Sequence, residues 1–355
     1  MPGEVWGGVH VLTGAPVAIK HDSPGHPIRS HDCETNSYAC SLPYEAQVYK
    51  VLTGDPGIPS LRWSGVREGA HILVLDKLGP DLDAVRLLCR GRLSLKTVLM
   101  LGLQMVRIPS LRENLVHVYA CQLERVEHVH SRGLILRDLK PQNFVLGLGE
   151  RSSIVHLLDF GLVRPYANPI TNEHIPFVEN LERVGTARYT SYNMLMKRGK
   201  SMITTIVPQL IDGTETSRRD DVEALANVLL FLLRGRLPWQ GIYGPSVEAK
   251  YVRLAEMRVG KAMQNFIDES PGRVLWHTWF KHCRDLAFVD KPDYDFLKGI
   301  MSKQIEEEGG ADGRFDWLDG AKLEHGTLVP GEYKLDSRLF YDDYSMKDLI
   351  PLICQ

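Results

Sequence analysis

The 355-residue chain has almost no net charge: 42 Lys and Arg stand against 44 Asp and Glu, for a formal value of −2. No broad basic field is therefore on offer to nucleic acid or to an anionic membrane. Long apolar runs are missing too. The longest, Ala224 to Leu233, is interrupted by Asn227 and is far shorter than the ~20 residues of a membrane span, so it reads as a buried helix. The N-terminus shows no basic stretch followed by an apolar one, and no signal peptide is expected. The six cysteines, at 33, 40, 89, 121, 283 and 354, include no Cys-x-x-Cys pair. That spacing argues against zinc and suits a reducing compartment, cytoplasmic or nuclear. His128 and His130 lie two apart, which does not share a helix face, so they make a poor metal pair. What the chain has in quantity is apolar residue, 44% of the total, enough for one two-lobed unit or two domains.

The stretch that concentrates chemistry is Leu136-Arg137-Asp138-Leu139-Lys140-Pro141-Gln142-Asn143. Pro141 discourages helix at Lys140 and helps to hold a loop, so polar groups can converge. A second short motif, Leu158-Asp159-Phe160-Gly161, adds another carboxylate beside a glycine. A carboxylate to orient a hydroxyl, an ammonium to neutralise phosphate charge, and an Asn with an Asp to hold Mg²⁺ are the parts of a phosphoryl-transfer site. Either motif alone would say little; both, in this order, say much.

The elements around them follow from pattern. Val5 to Lys20 reads as a β-hairpin turning at Thr13-Gly14. Residues 21–43 lack apolar periodicity and read as loop. Tyr44 to Leu52 reads as a helix with Tyr44, Val48, Val51 and Leu52 on one face, and an ordinary solvated charge is the bland alternative for Glu45. His71 to Asp76 is a continuous apolar strand, ended by Lys77-Leu78-Gly79-Pro80. A connection between lobes is expected there, with exposed backbone groups available to an adenine edge. Helices are expected from Leu82, from Leu93 to Met105 and over Val222 to Leu233, with a short strand over Ile154 to Leu158. Past Glu306-Glu307-Glu308-Gly309-Gly310 the pattern breaks, and a loosely attached tail to Gln355 is expected.

The two motifs resemble the catalytic loop and the Asp-Phe-Gly motif of protein kinases, and Val17-Ala18-Ile19-Lys20 resembles the strand that carries their phosphate-gripping lysine. Further stretches are similar to the casein kinase I family in particular: Gly57-Ile58-Pro59, Leu78-Gly79-Pro80, His174-Ile175-Pro176, Gly185-Thr186-Ala187-Arg188-Tyr189, Ser217-Arg218-Arg219-Asp220-Asp221, Leu237-Pro238-Trp239-Gln240-Gly241 and Asp290-Lys291-Pro292-Asp293-Tyr294. Ser191-Tyr192-Asn193 stands where most kinases carry Ala-Pro-Glu. The resemblance implies an α+β bilobal kinase fold: a small β-rich N-lobe over 1–77, lacking its first strand, a large helical C-lobe over 78–305, and an extension over 306–355.

It also implies ATP- and Mg²⁺-dependent transfer to Ser or Thr of protein substrates with acidic or phosphorylated segments, by a monomer. Position by position, Asp138 would orient the substrate hydroxyl and Lys140 would contact the γ-phosphate. Asn143 and Asp159 would hold Mg²⁺, while Lys20, paired with Glu45, would grip the α- and β-phosphates. Gly3, Val5, Ala18, Leu75, Asp76, Leu78 and Val145 match nucleotide-bordering positions. Asp221 matches the aspartate that anchors the catalytic-loop backbone, and Arg188 and Lys250 match two members of a substrate-anion cluster.

The chain departs from that family in several places. The Gly-x-Gly-x-Phe-Gly loop expected before Glu4-Val5 is represented only by Gly3. Leu136 replaces a histidine and Gln142 an aspartate. Leu181, Tyr243 and Val247 stand where lysines are frequent. Three inserts are expected, within 21–43, about 106–122 and about 197–212, the second placing Pro109 in mid-helix; translated introns are one explanation for them. These departures leave a second expectation open: a weak or inactive, pseudokinase-like binding module, or the product of a gene-model error.

Overall fold

The computed structural model describes residues 4–22, 42–54, 57–106, 125–168, 171, 173–176, 185–196 and 216–318. Gly3, the 106–122 insert between 107 and 122, the 197–212 insert and most of 21–43 lie outside these residues. The described residues divide into two units. One comprises those up to Pro80 together with Val145–Gly161; the other comprises Asp81–Phe144 and those from Leu162 onward. The first unit thus ends its first stretch at Pro80 and regains the chain at Val145.

The first unit is built on a four-stranded antiparallel sheet of order β1-β2-β4-β3, with β1 at Glu4–Val9, β2 at Pro16–His21, β3 at Leu61–Arg67 and β4 at Ala70–Asp76. The β1–β2 hairpin turns where Thr13-Gly14 directs it, with Gly14 at φ 69°, a left-handed conformation that glycine adopts without a Cβ penalty. Side chains alternate across the sheet. Val17, Ile19 and Val74 are buried on one face, with Trp6, Trp63 and Ile72 packed against them. The register pairs Val5 with Lys20, Ala18 with Leu75 and Lys20 with Leu73, so the opposite face carries Val5, Ala18, Lys20, Leu73 and Leu75. Helix α1, Leu42–Val51, packs against β3 and β4. Strands β6 (Phe144–Leu146) and β7 (Val155–Leu157) form a separate two-stranded ladder.

The second unit is helical. Its centre is α6, Arg218–Arg234, whose residues from Asp220 to Leu233 are all buried. A helix buried on every side over this length lies inside a core, its polar Asp220, Asp221, Glu223 and Asn227 included. Gly235 at φ 72° ends it in a left-handed cap. Around it lie α2 (Leu82–Leu88), α3 (Leu95–Val106), α4 (Arg125–Ser131), α5 (Tyr192–Met196), α7 (Val247–Val259), α8 (Lys261–Asp268), α9 (Arg273–Asp285) and α10 (Tyr294–Glu307). Trp276 and Trp279 of α9 are fully buried. Strands β5 (Leu134–Ile135) and β8 (Arg164–Pro165) pair antiparallel. Among the described residues no helix is long and apolar enough to cross a membrane.

Two expectations are corrected. The buried face of α1 is Leu42, Glu45, Ala46, Val48 and Tyr49, while Val51 is exposed and Tyr44 only half-buried. A buried glutamate is invisible to an apolar count, and it turns the helix from the face that counting selects. In the Lys77–Pro80 connection, Lys77 donates its N–H to Pro16 O, Gly79 donates to Leu146 O at 2.8 Å, and Pro80 O accepts from Leu146 N–H at 2.9 Å. These bonds anchor Lys77, Gly79 and Pro80 within the unit. Finally, the described part of the 306–355 extension is packed: α10 continues to Glu307, and Phe315 and Trp317 are buried with their rings stacked 4.6 Å apart. Asp316 fastens this segment to α3 by accepting from Ser94 N–H, Ser94 Oγ and Thr97 Oγ1.

Candidate active site

The first unit brings Lys20, Glu45 and Asp159 together. Lys20 leaves the α1-facing side of β2, and its Nζ lies 2.7 Å from Glu45 Oε2 and 3.4 Å from Asp159 Oδ1. Glu45 is only 3% exposed whereas Asp159 is 41% exposed. The bland alternative for Glu45 is thus overturned: this is a buried charge, and it persists because a cation meets it. Burial works to lower the Lys20 pKa, but the two carboxylates outweigh it and the ammonium titrates above its ordinary range. Burial pushes the Glu45 carboxyl up, opposed by the lysine. Tyr49, one turn along α1 from Glu45, stacks edge-on against Phe160 at 4.7 Å. The helix therefore holds both the lysine's partner and the ring beside Asp159.

The second unit assembles Asp138, Lys140 and Asn143. Asp138 Oδ1 accepts the Thr186 N–H at 2.7 Å, and Oδ2 accepts from Lys140 Nζ at 2.7 Å. Asn143, in a single 3-10 turn opened by Pro141, donates Nδ2–H to Asp138 O at 2.9 Å, which leaves its amide oxygen as an acceptor. Arg137 sits at φ 68°, an uncommon conformation for a non-glycine residue. It is held there by its N–H on Asp221 Oδ1 and its Nε on Leu162 O. Asp159 shares this feature at φ 66°. Backbone strain at two motif residues marks positions that the surrounding structure specifies.

Sequence reasoning missed what fixes the chain from Gly185 to Thr190. Gly185 is at φ 82°, and a Cβ there would lie 2.4 Å from Arg137 O, so only glycine allows this approach to the loop. Arg258 of α7 is fully buried; its guanidinium donates to Thr190 O, to Ala187 O at 2.8 Å and to Arg188 O at 3.0 Å, and lies 4.0 Å over the Trp239 ring. Burial pushes its pKa down to about 9, against the pull of Glu223. Nothing in the sequence distinguishes Arg258 from an ordinary arginine on a helix.

The remaining sequence-named positions fall in both units. Val5, Ala18 and Leu75 share the Lys20 face of the sheet. Leu78 is half-buried, and Val145 is buried in β6. The Asp76 carboxylate is spent on Arg62 Nε at 2.6 Å and on the Ser60 N–H. Arg188 and Lys250 are both exposed, Arg188 in the segment that Arg258 grips and Lys250 on α7.

Comparison with known protein families matches residues 98–306 to the protein kinase domain. The chain belongs to the protein kinase family. Its fold is accordingly the α+β, bilobal kinase fold, with a β-rich N-terminal region and a helical C-terminal one. The match contains Asp138, Lys140, Asn143 and Asp159, while Lys20 and Glu45 precede it. The donor set suits a kinase's usual ligands. The Asp159 carboxylate of the first unit and the Asn143 amide oxygen of the second are each hard oxygen donors of the kind Mg²⁺ takes. The Lys20 ammonium is already poised for anionic oxygens.

Proposed function

We propose that this kinase is an ATP- and Mg²⁺-dependent Ser/Thr protein kinase of the casein kinase I type, acting on hydroxyls near acidic residues. The observation that carries the reading is the Asp138 carboxylate, aligned by the Thr186 N–H on one oxygen and by Lys140 on the other, within a loop whose strained Arg137 is anchored on Asp221. An aspartate fixed in this way can orient a hydroxyl and accept its proton, while Lys140 offers a positive charge to phosphate oxygens. Mg²⁺-ATP, when bound, supplies the phosphoryl group. Lys20, held by Glu45, would fix the α- and β-phosphates, and Asn143 and Asp159 would hold the metal. Support for the casein kinase I type comes from the motifs around 78–80, 185–189, 217–221 and 237–241.

Arg188 and Lys250 are both exposed and would receive an acidic segment. The residues at Leu181, Tyr243 and Val247 cannot pair a phosphate, and each missing charge-assisted bond removes roughly 1.5–3 kcal/mol. The preference for phosphorylated over merely acidic substrates should therefore be weak. Two assays test the reading. Incubation with ATP, Mg²⁺ and an acidic peptide should label serine or threonine, and Asp138→Asn should cut the rate at least ~100-fold, the lower end of what a positioned base contributes. A wild type without activity, or a variant as fast as wild type, would sink the assignment. A phosphoprimed peptide phosphorylated far faster than its unprimed twin would overturn the substrate preference.

A further inference from the structure

Asp221 of α6 is the hub beneath the catalytic loop. Its Oδ2 accepts the Leu136 N–H at 2.6 Å, and its Oδ1 accepts the Arg137 N–H at 2.9 Å. A third partner, His130 of α4, lies with Nε2 2.9 Å from Oδ2. For that nitrogen to donate to the carboxylate, a neutral imidazole must carry its proton on Nε2 and leave a lone pair on Nδ1. The lone pair is buried, since the His130 side chain is 2% exposed, so it needs a donor. Tyr294 supplies one: its Oη is 2.5 Å from Nδ1. The tyrosine is itself placed by its position as first residue of α10, next to the Asp293 cap that accepts the Phe296 N–H. Tyr166 holds the same histidine from its backbone side, donating to His130 O at 2.7 Å.

We propose that Tyr294 is a positioning residue for the catalytic loop, acting through His130 and Asp221. Without its hydroxyl, Nδ1 either stays buried without a donor or takes the proton from Nε2 and turns a lone pair on the Asp221 carboxylate. Both outcomes are unfavourable in a buried site. Either one loosens the carboxylate on which the two loop amides hang, immediately before Asp138. The C-terminal helix α10 is thereby coupled to the loop that carries the chemistry. The catalytic part of this inference rests on the kinase function proposed above; the geometric part does not.

The test uses the full chain with Tyr294→Phe, which keeps the ring and removes only the oxygen, and with His130→Ala alone and in combination. Amide hydrogen exchange is read at Leu136 and Arg137, with Leu229 and Leu230 in α6 as internal controls, and the His130 tautomer is read by nitrogen NMR. In Tyr294→Phe the two loop amides should exchange at least tenfold faster while the controls hold. In the unaltered chain the His130 proton should reside on Nε2, and a proton on Nδ1 there would overturn the proposal. The double variant should match His130→Ala. The rate constant for peptide phosphorylation should fall about tenfold with KM within twofold. Unchanged loop amides, loop and control amides speeding up together, or effects that add in the double variant would each overturn the proposal. Should His130→Ala not fold, unchanged exchange at the Leu136 and Arg137 amides in Tyr294→Phe overturns it equally. Exchange and tautomer need no turnover, so an inactive chain would count against the proposed function and leave this result standing.

Discussion

Gly185 shows how much one missing Cβ can decide. Its φ of 82° and its approach to Arg137 O let the segment it opens deliver the Thr186 N–H to Asp138. Gly185→Ala should cost about 1–3 kcal/mol, the range for a residue forced into sparse backbone space, and should slow peptide phosphorylation by more than its loss of stability explains. Urea denaturation beside a rate assay checks both. Cys89 offers a second test. Burial, and then the Asp316 carboxylate, raise its thiol from 9.0 to about 11. The folded state therefore favours the neutral thiol: its contribution to stability is full below about pH 9 and is lost as pH rises toward about 11. Alkylation of native Cys89, followed by peptide mapping, should be slow at pH 8 and climb about tenfold per pH unit up to that value, because only the thiolate reacts. Single residues were unevenly legible. Asp138, Lys140, Asn143 and Asp159 stood out because chemistry restricts which residue types can do their work. Arg258 and Tyr294 did not, because their roles consist of partners distant in sequence.

At the scale of the element, short helices depend on their ends. Asp81 caps α2, its Oδ1 accepting from the Asp83 and Ala84 N–H groups at 2.9 Å each. Asp81→Ala should cost about 1 kcal/mol, seen as a lower urea midpoint at unchanged slope. The β1–β2 hairpin, β4 and α6 were readable from alternation, turn residues and a continuous apolar run. Helix α1 was readable as a helix but not in its orientation. Glu45 faces inward because Lys20, 25 residues earlier in the chain, reaches it from the sheet, and no periodicity within the helix records that. The segment after α10 was misjudged for a related reason. Gly309 and Gly310 do break the helix, yet Phe315 and Trp317 bury themselves beyond it.

For the whole molecule, that segment becomes a measurable part of the fold. Phe315→Ala removes a fully buried ring and should destabilise the helical unit by roughly 3–5 kcal/mol, read by thermal or urea unfolding. Nucleotide binding gives an independent measurement. Mg²⁺-ATP at about 100 times its Kd should stabilise the folded chain by roughly 2.7 kcal/mol. Lys20→Met should abolish that shift while Asp138→Asn retains it, since Lys20 is assigned to the phosphates and Asp138 to the hydroxyl. Differential scanning fluorimetry with and without nucleotide checks this; a shift that survives Lys20→Met would remove the lysine from the site.

The sequence by itself determined the class of chemistry and most of the elements, because phosphoryl transfer tolerates few side chains and because hydrophobic period, glycine and proline act over short range. Only the tertiary structure decided that α1 turns its Glu45 face into the core, that Thr186 and Arg258 fix the segment beside Asp138, and that Tyr294 reaches Asp221 through His130. Each of these depends on desolvating a polar group against a partner tens to hundreds of residues away, and that balance exists only once the chain has folded.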